Sequence, residues 1–272
     1  FDVRPYEPKE QIKNRENIIV YLGSLIPSKG FHVLAKAWPE IIKKVPDAKL
    51  YVIGSGKLYD RNQELGKWNV AEENYERKKI RPYLSDKNGE IHPSVNFLGV
   101  LGKGKVDILQ KSLIGVPNPT GLTENCPGSA IEFQAAGTPI VSIAKAGLLD
   151  TVLNNKTGLL GKQKKDLAPN IIYLIKNKEK AYQMGKQGIT FIKEKFDHKK
   201  VADQWETIFN EVGRGIPHKP KGIEQYPFHD LKLLRELLRK LKQLFPFLYY
   251  VIPSVVNIKL TASKYAKLIK GK

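Results

Sequence analysis

The chain has 272 residues, 41% of them hydrophobic, with 46 Lys and Arg against 27 Asp and Glu for a formal charge of +19. That apolar content excludes a disordered chain, and the length suffices to bury a real core in one large domain or two small ones. A single cysteine, Cys126, excludes a disulfide framework and a Cys-rich zinc site and fits a reducing compartment, and no run of 18 apolar residues is present to make a membrane-spanning helix.

From Asn17 to about Val212, short β-rich runs alternate with longer helical periods. Strands are predicted at Ile18–Leu22, Lys49–Ile53, Val95–Leu98, Leu113–Val116 and Pro139–Ile143. Each is almost continuously apolar, as a strand buried on both faces should be. Ser28 is predicted to cap a helix whose apolar face is Leu34, Trp38, Ile41 and Val45. Further helices are expected near 71–83, 103–111, 128–136, 165–176, 178–195 and 198–212. This order predicts an α/β fold with a doubly wound parallel sheet, covered by helices on both faces. Ligands in such sheets sit beyond the carboxyl ends of the strands, so chemistry is expected in the loops there.

Two of those loops stand out. The first strand runs into Gly23-Ser24-Leu-Ile-Pro-Ser-Lys29-Gly30 and then a helix. A glycine turn, a lysine and free helix N-terminal amides make a phosphate seat, although ordinary strand-to-helix turn chemistry accounts for the same residues. The fourth strand is followed by a loop containing Glu124 and then Asn125-Cys126-Pro127-Gly128-Ser129, with Glu132 about one turn into the next helix. A carboxylate facing a crevice accepts hydrogen bonds from sugar or ribose hydroxyls, and the Gly128 and Ser129 amides can hold phosphate at the positive end of the helix. The competing reading of Glu132 is an exposed acid in a helix's first turn. Cys126 has no histidine near it in sequence and reads as a small loop residue, not a nucleophile. The five histidines lack metal-ligand spacing.

Beyond the Pro/Gly/Lys stretch 213–222, residues 223–272 hold ten Lys or Arg against three Asp or Glu, a denser surplus than that of the body. Leu231, Leu234, Leu238, Leu241 and Phe245 fall on one helical face, with Lys232, Arg235, Arg239, Lys240 and Lys242 off it. An aromatic, twice proline-interrupted segment follows to Val256. A basic amphipathic helix beside aromatics suits an anionic membrane surface through 231–256, and equally a helix packed on protein with its lysines solvated. Nucleic acid is not an expected partner: the basic residues are not interleaved with aromatic platforms and form no nucleic-acid-binding motif.

Glu124-x7-Glu132 followed by Ala-Ala-Gly-Thr-Pro resembles the signature of the retaining GT-B glycosyltransferases of glycosyltransferase family 4, the "glycosyltransferase group 1" domain. Gly23-x5-Lys29-Gly30 resembles that family's Gly-Arg-x4-Lys-Gly loop. Gly147-Leu-Leu-Asp150-Thr-Val with Asn155-Lys-Thr-Gly158-Leu resembles its Gly-Gly-x2-Glu-x-Val … Gly-x-Thr-Gly-Leu segment. Phe196–Val212 looks like the closing helix of the domain. The likeness runs from about residue 2 to 212 and departs at Ser24, where the family has arginine, at Asn125-Cys126 in place of Phe-Gly, and at Asp150 in place of glutamate.

The resemblance implies a Rossmann-like domain, the C-terminal half of a GT-B fold, over 17–212, with a helical C-terminal extension. It implies a hexosyl transfer from a nucleotide-diphosphate sugar to a glycan or lipid-linked acceptor, with retention and no metal or other cofactor, in keeping with the lack of an Asp-x-Asp pair in the sequence. Glu132 would hold the donor's ribose, Glu124 would contact the transferred sugar, and Lys29 would neutralise the diphosphate. Gly23, Ser24 and the Cys126–Ser129 amides would line the donor site beside Asn125, and Val100 would lie near the base. Asp2-x3-Tyr6-x-Pro8 resembles the family's interdomain linker, placed here at 1–16. The N-terminal acceptor domain would then lie outside this chain, which would bind donor but not transfer sugar by itself. With the basic tail, this points to polysaccharide or lipopolysaccharide synthesis at the cytoplasmic face of the plasma membrane. The competitor from another class is a noncatalytic carbohydrate- or membrane-binding module on the same fold. A phosphorylase would need a pyridoxal-phosphate lysine motif, which is absent from the sequence.

Overall fold

The structure, a computed structural model, describes residues 1–8, 13–216 and 232–252. The chain divides into two compact units, Phe1–Lys221 and Gly222–Lys272. The first is built on six strands, β1 (Ile18–Leu22), β2 (Lys49–Ile53), β3 (Val95–Gly99), β4 (Ile114–Val116), β5 (Ile140–Ile143) and β6 (Gly158–Gly161). They form one parallel sheet in the order β3-β2-β1-β4-β5-β6. Ile19 pairs with Leu50 on one side and with Ile114 on the other, which makes β1 and β4 neighbours.

Nine helices flank the sheet among the described residues of this unit: α1 (Phe31–Lys44), α2 (Glu73–Tyr75), α3 (Arg81–Leu84), α4 (Lys105–Lys111), α5 (Gly128–Ala135), α6 (Leu148–Thr151), α7 (Leu167–Lys176), α8 (Lys178–Lys195) and α9 (His198–Gly213). Successive strand residues point to opposite faces, and both faces are filled. Ile19 and Tyr21 of β1 pack with Leu34, Trp38 and Ile41 of α1 and Ile171 of α7. Ile18 and Val20 pack with Ala130 and Phe133 of α5. Gly115 of β4 makes room for the Phe133 ring, into which a Cβ would project. The doubly wound parallel architecture is therefore the one expected from the apolar runs.

Three local expectations change. Ser28 does not cap α1; it lies in a short 3-10 turn, Pro27–Lys29, and the residue before the helix is Gly30, in the left-handed region at φ 76° with no side-chain cap. The helix predicted over 71–83 is broken by a π-helical turn, Glu76–Ile80, between α2 and α3. Glu76, fully buried in that turn, accepts hydrogen bonds from the amides of Trp68 (2.8 Å), Val70 (3.2 Å) and Ala71 (3.4 Å), so the carboxylate is satisfied by a loop and not by a cation. The strand β6 was not predicted, because Gly-Leu-Leu-Gly is short and half glycine; a Cβ at Gly158 would collide with the Ile140 carbonyl of β5.

The described parts of the segment read as a linker, 1–8 and 13–16, pack within the first unit, while 9–12 lie outside the described residues. Val3 is buried with Ile131, Ala135 and Ile192. Arg15 is 8% exposed and donates to the carbonyls of Ser112 (2.7 Å) and Ala136 (3.2 Å) and to Thr138 Oγ1 (2.8 Å). Burial pulls its guanidinium down to a pKa of about 10, which still leaves it charged at neutral pH. In the second unit, α10 (Lys232–Leu244) confirms helix within the predicted amphipathic stretch, and α11 (Leu248–Val251) is a single turn of helix in the aromatic segment, where none was predicted. Leu231 and 253–256 lie outside the described residues.

Arg15→Ala removes a buried cation and leaves three oxygens without their donor. It should destabilise the first unit by about 2–4 kcal/mol, the scale of losing several charge-assisted hydrogen bonds. Urea unfolding of the variant measures this, and an unchanged midpoint would remove Arg15 from the scaffold.

Candidate functional site

The strand order reverses between β1 and β4: the chain winds outward through β2 and β3 on one side and through β5 and β6 on the other. The loops leaving β1 and β4 therefore diverge above the sheet and open a crevice between them. Lys29 stands on the first loop and Glu124 on the second, and their side chains meet at 2.6 Å between Nζ and Oε1. They are only 18% and 11% exposed. Asn118, six residues earlier on the second loop, donates from Nδ2 to the same carboxylate oxygen (2.8 Å) and to the Leu122 carbonyl (2.7 Å).

Backbone contacts hold the loops together. The Thr120 hydroxyl donates to the Ser28 carbonyl at 2.9 Å. Gly30 lies against the same residue, and a Cβ there would sit 2.6 Å from Thr120 Cγ2, so glycine is required for space as well as for its positive φ. The fully buried Tyr21 places its hydroxyl 3.0 Å from the Ser24 carbonyl and 2.9 Å from that of Lys29. The Gly147 amide donates to the Glu124 carbonyl at 2.8 Å.

A second ion pair faces the same cleft. Glu132, on the second turn of α5, accepts from Lys105 Nζ (2.7 Å) and from the Tyr6 hydroxyl (3.1 Å), both at Oε1. Lys105 opens α4, just past the carboxyl end of β3. Burial first, and then the adjacent Glu132 carboxylate, push the Tyr6 phenol well above its ordinary pKa, which keeps it a hydrogen-bond donor. Both pairs line a cleft of about 370 Å³ with Gly23, Ser24, Gly128 and Ser129. Gly128 and Ser129 open α5, where no preceding helical turn offers their amides a carbonyl, so these are free for an anion.

Lys29, Glu124, Glu132, Gly23, Ser24, Gly128 and Ser129 all line this cleft. Ser24 is buried and donates to the Ser55 carbonyl at 3.2 Å. Pro127 is buried as the residue before α5, while Asn125 and Cys126 are exposed and do not line the cleft. Val100 follows β3, is 60% exposed, and also lies outside that lining. Sequence reasoning passed over Lys105, Asn118 and Tyr6. For Lys105 there was a signal: it follows a predicted strand in a Gly-Lys-Gly-Lys turn, the position where the topology puts ligand contacts. Among the described residues, no group of three or more His, Cys, Asp or Glu is arranged to hold a metal ion.

Residues 2–191 match the model of the glycosyl transferases group 1 family, most of the chain. The chain belongs to that family. It is 28% identical over 205 residues to an uncharacterized glycosyltransferase of Haemophilus influenzae, covering 74% of this chain and 51% of the relative. It is 25% identical over 200 residues to the poly(ribitol-phosphate) alpha-N-acetylglucosaminyltransferase of Staphylococcus aureus, covering 72% and 36%. In structure it resembles Anabaena HepE in complex with UDP, with a TM-score of 0.62 at 16% identity over 78% of this chain and 56% of that one. The fold is Rossmann-like and of GT-B type. The chain spans about half or less of the length of these two curated relatives.

Gly30→Ala forces a side chain into the left-handed region and into Thr120. The expected cost is roughly 1–3 kcal/mol, with a lowered thermal midpoint and a displaced Lys29 loop. A variant as stable as the parent would show that the tight approach of the two loops is not needed.

Proposed function

We propose that this chain is the donor-binding part of a retaining glycosyltransferase that moves a hexosyl group from a nucleotide-diphosphate sugar to a glycan or lipid-linked acceptor. The observation that carries the reading is the pair of lysine–carboxylate contacts, Lys29–Glu124 and Lys105–Glu132, facing one cleft at the point where the strand order reverses. In the reading, Glu132 accepts from ribose hydroxyls, Glu124 from the transferred sugar, and the diphosphate lies between Lys29 and the Gly128 and Ser129 amides. As the sugar–phosphate bond breaks, negative charge grows on the diphosphate, and a lysine and helix-end amides already in place stabilise it without a metal ion. The UDP complex of HepE and the poly(ribitol-phosphate) in the name of the Staphylococcus relative support a nucleotide donor and a hydroxyl-bearing polymer as acceptor for this family member. The acceptor would be held by a second domain outside this chain.

Titration calorimetry with UDP-, GDP- and ADP-sugars tests this. Glu132→Ala should weaken the bound nucleotide-sugar by about 1–3 kcal/mol, and chelation by EDTA should leave the parent's affinity unchanged. Full affinity in a folded Glu132→Ala variant would remove the assignment, and loss of binding in EDTA would remove its metal-free form.

The second unit favours a place of action. Along α10, Leu233, Leu237 and Leu244 are exposed, Leu233 by 83%, and Phe245, Phe247 and Val251 are exposed apolar residues beyond them, while Arg239 stands on the opposite side of the helix and Lys240 flanks the leucine stripe. At 100° per residue all the leucines of α10 fall within one half of its circumference and its charges within the other. We propose that this helix lies in the surface of an anionic membrane, at the cytoplasmic side, with each basic residue worth about 1 kcal/mol there. Sedimentation with phosphatidylglycerol vesicles should be lost on deleting 223–272 or in Leu233→Glu/Leu237→Glu. Equal sedimentation of the deleted protein would overturn it.

A further inference from the structure

Tyr6, Lys105 and Glu132 meet from three separate parts of the chain: the N-terminal segment, the start of α4 and the second turn of α5. Neither Tyr6 nor Lys105 belongs to the two loops that frame the cleft. Both donors converge on one oxygen, Oε1, at 3.1 and 2.7 Å, and Oε2 receives no hydrogen bond from any described residue. The side chains of Lys105 and Glu132 are only 20% and 18% exposed, so water competes little for these contacts. Tyr6 packs its ring among apolar neighbours and near Phe1, which fixes where its hydroxyl points. A carboxylate held at one oxygen by two donors from different directions cannot turn freely about its terminal bond. Its second oxygen is then a directed acceptor on a residue that lines a cleft of about 370 Å³.

We infer that Tyr6 and Lys105 are positioning residues that give the site its preference for a ribonucleotide: by pinning Oε1 of Glu132, they present Oε2 to the vicinal hydroxyls of the ribose. This rests on the proposed seating of the nucleoside at Glu132. Lys105 supplies charge and a short contact, and Tyr6 supplies the second direction that fixes the carboxylate plane. A 2′-hydroxyl that meets a pre-aimed acceptor gains a full hydrogen bond; a 2′-deoxyribose offers that acceptor its 3′-hydroxyl alone and forfeits one of the two contacts. The two residues therefore act on the difference between sugars, not on the phosphates.

Calorimetry on the full chain with UDP, ADP and GDP, each beside its 2′-deoxy analogue, reads this directly. The parent should bind the preferred ribonucleotide about tenfold more tightly than its deoxy form, the scale of one directed hydrogen bond. In Tyr6→Phe and Lys105→Met the ribonucleotide should weaken several-fold while the deoxy form stays within about twofold, so the ratio collapses. Lys105→Arg should retain part of it. Thermal midpoints near the parent's show that the variants are folded. An equal loss for both forms would make Lys105 a phosphate contact and overturn the inference, as would an unchanged ratio in both variants. The Glu132→Ala protein separates the two levels: if it keeps the parent's ratio, the nucleoside is not seated at Glu132. If it loses the ratio while Tyr6→Phe and Lys105→Met keep it, the seat stands and the positioning role falls.

Discussion

The site depends on one constraint, the adjacency of β1 and β4. Once Ile19 and Ile114 pair across the sheet, the loops that follow must part around a crevice, and side chains 95 positions apart in sequence come to 2.6 Å. The rest of the local structure serves that approach. Gly30 lets the first loop press on Thr120, Asn118 braces the Glu124 carboxylate with a hydrogen bond, and Tyr21 holds the turn from inside the core. The sheet supplies rigidity, since β1 is buried on both faces along nearly its whole length.

Charges are handled in two ways in this domain. Where they serve the scaffold, they are satisfied by the peptide backbone: Glu76 by three amides, and Arg15 by two carbonyls and a hydroxyl. Such contacts have no use for a solute ion. At the cleft the charges satisfy each other, lysine to carboxylate, in a half-dry setting where the gain from pairing is largely offset by lost hydration. Those pairs contribute little net stability, but they hold long side chains in one geometry.

Much of this was legible in the sequence. Five strands showed as apolar runs because burial on both faces erases alternation, and the Glu124–Glu132 spacing placed two carboxylates on one loop-and-helix unit. The cap of α1 was misread because Ser28 is a good capping type, whereas the outcome was decided by tertiary crowding against Thr120, invisible in a local window. Strand β6 was hidden by its glycines, which answer to close packing, Gly158 on Ile140 and Gly161 on Asp166, and not to any propensity. Tyr6 and Lys105 were missed for another reason. They lie 126 and 27 positions from Glu132, and Tyr6 sits in a segment that reads as a connector until its packing is seen.

The mutual pairing of the cleft's lysines and carboxylates also bears on how an anion arrives. Two positive and two negative side chains cancel locally, so the cleft itself exerts almost no long-range pull on a diphosphate. Attraction at a distance must come from the chain's overall surplus of +19, spread over solvated surfaces and screened within about 10 Å at ordinary ionic strength. Encounter and retention are thereby separated: the protein's outer field governs how often an anion arrives, and short-range exchange of partners inside the cleft governs how long it stays.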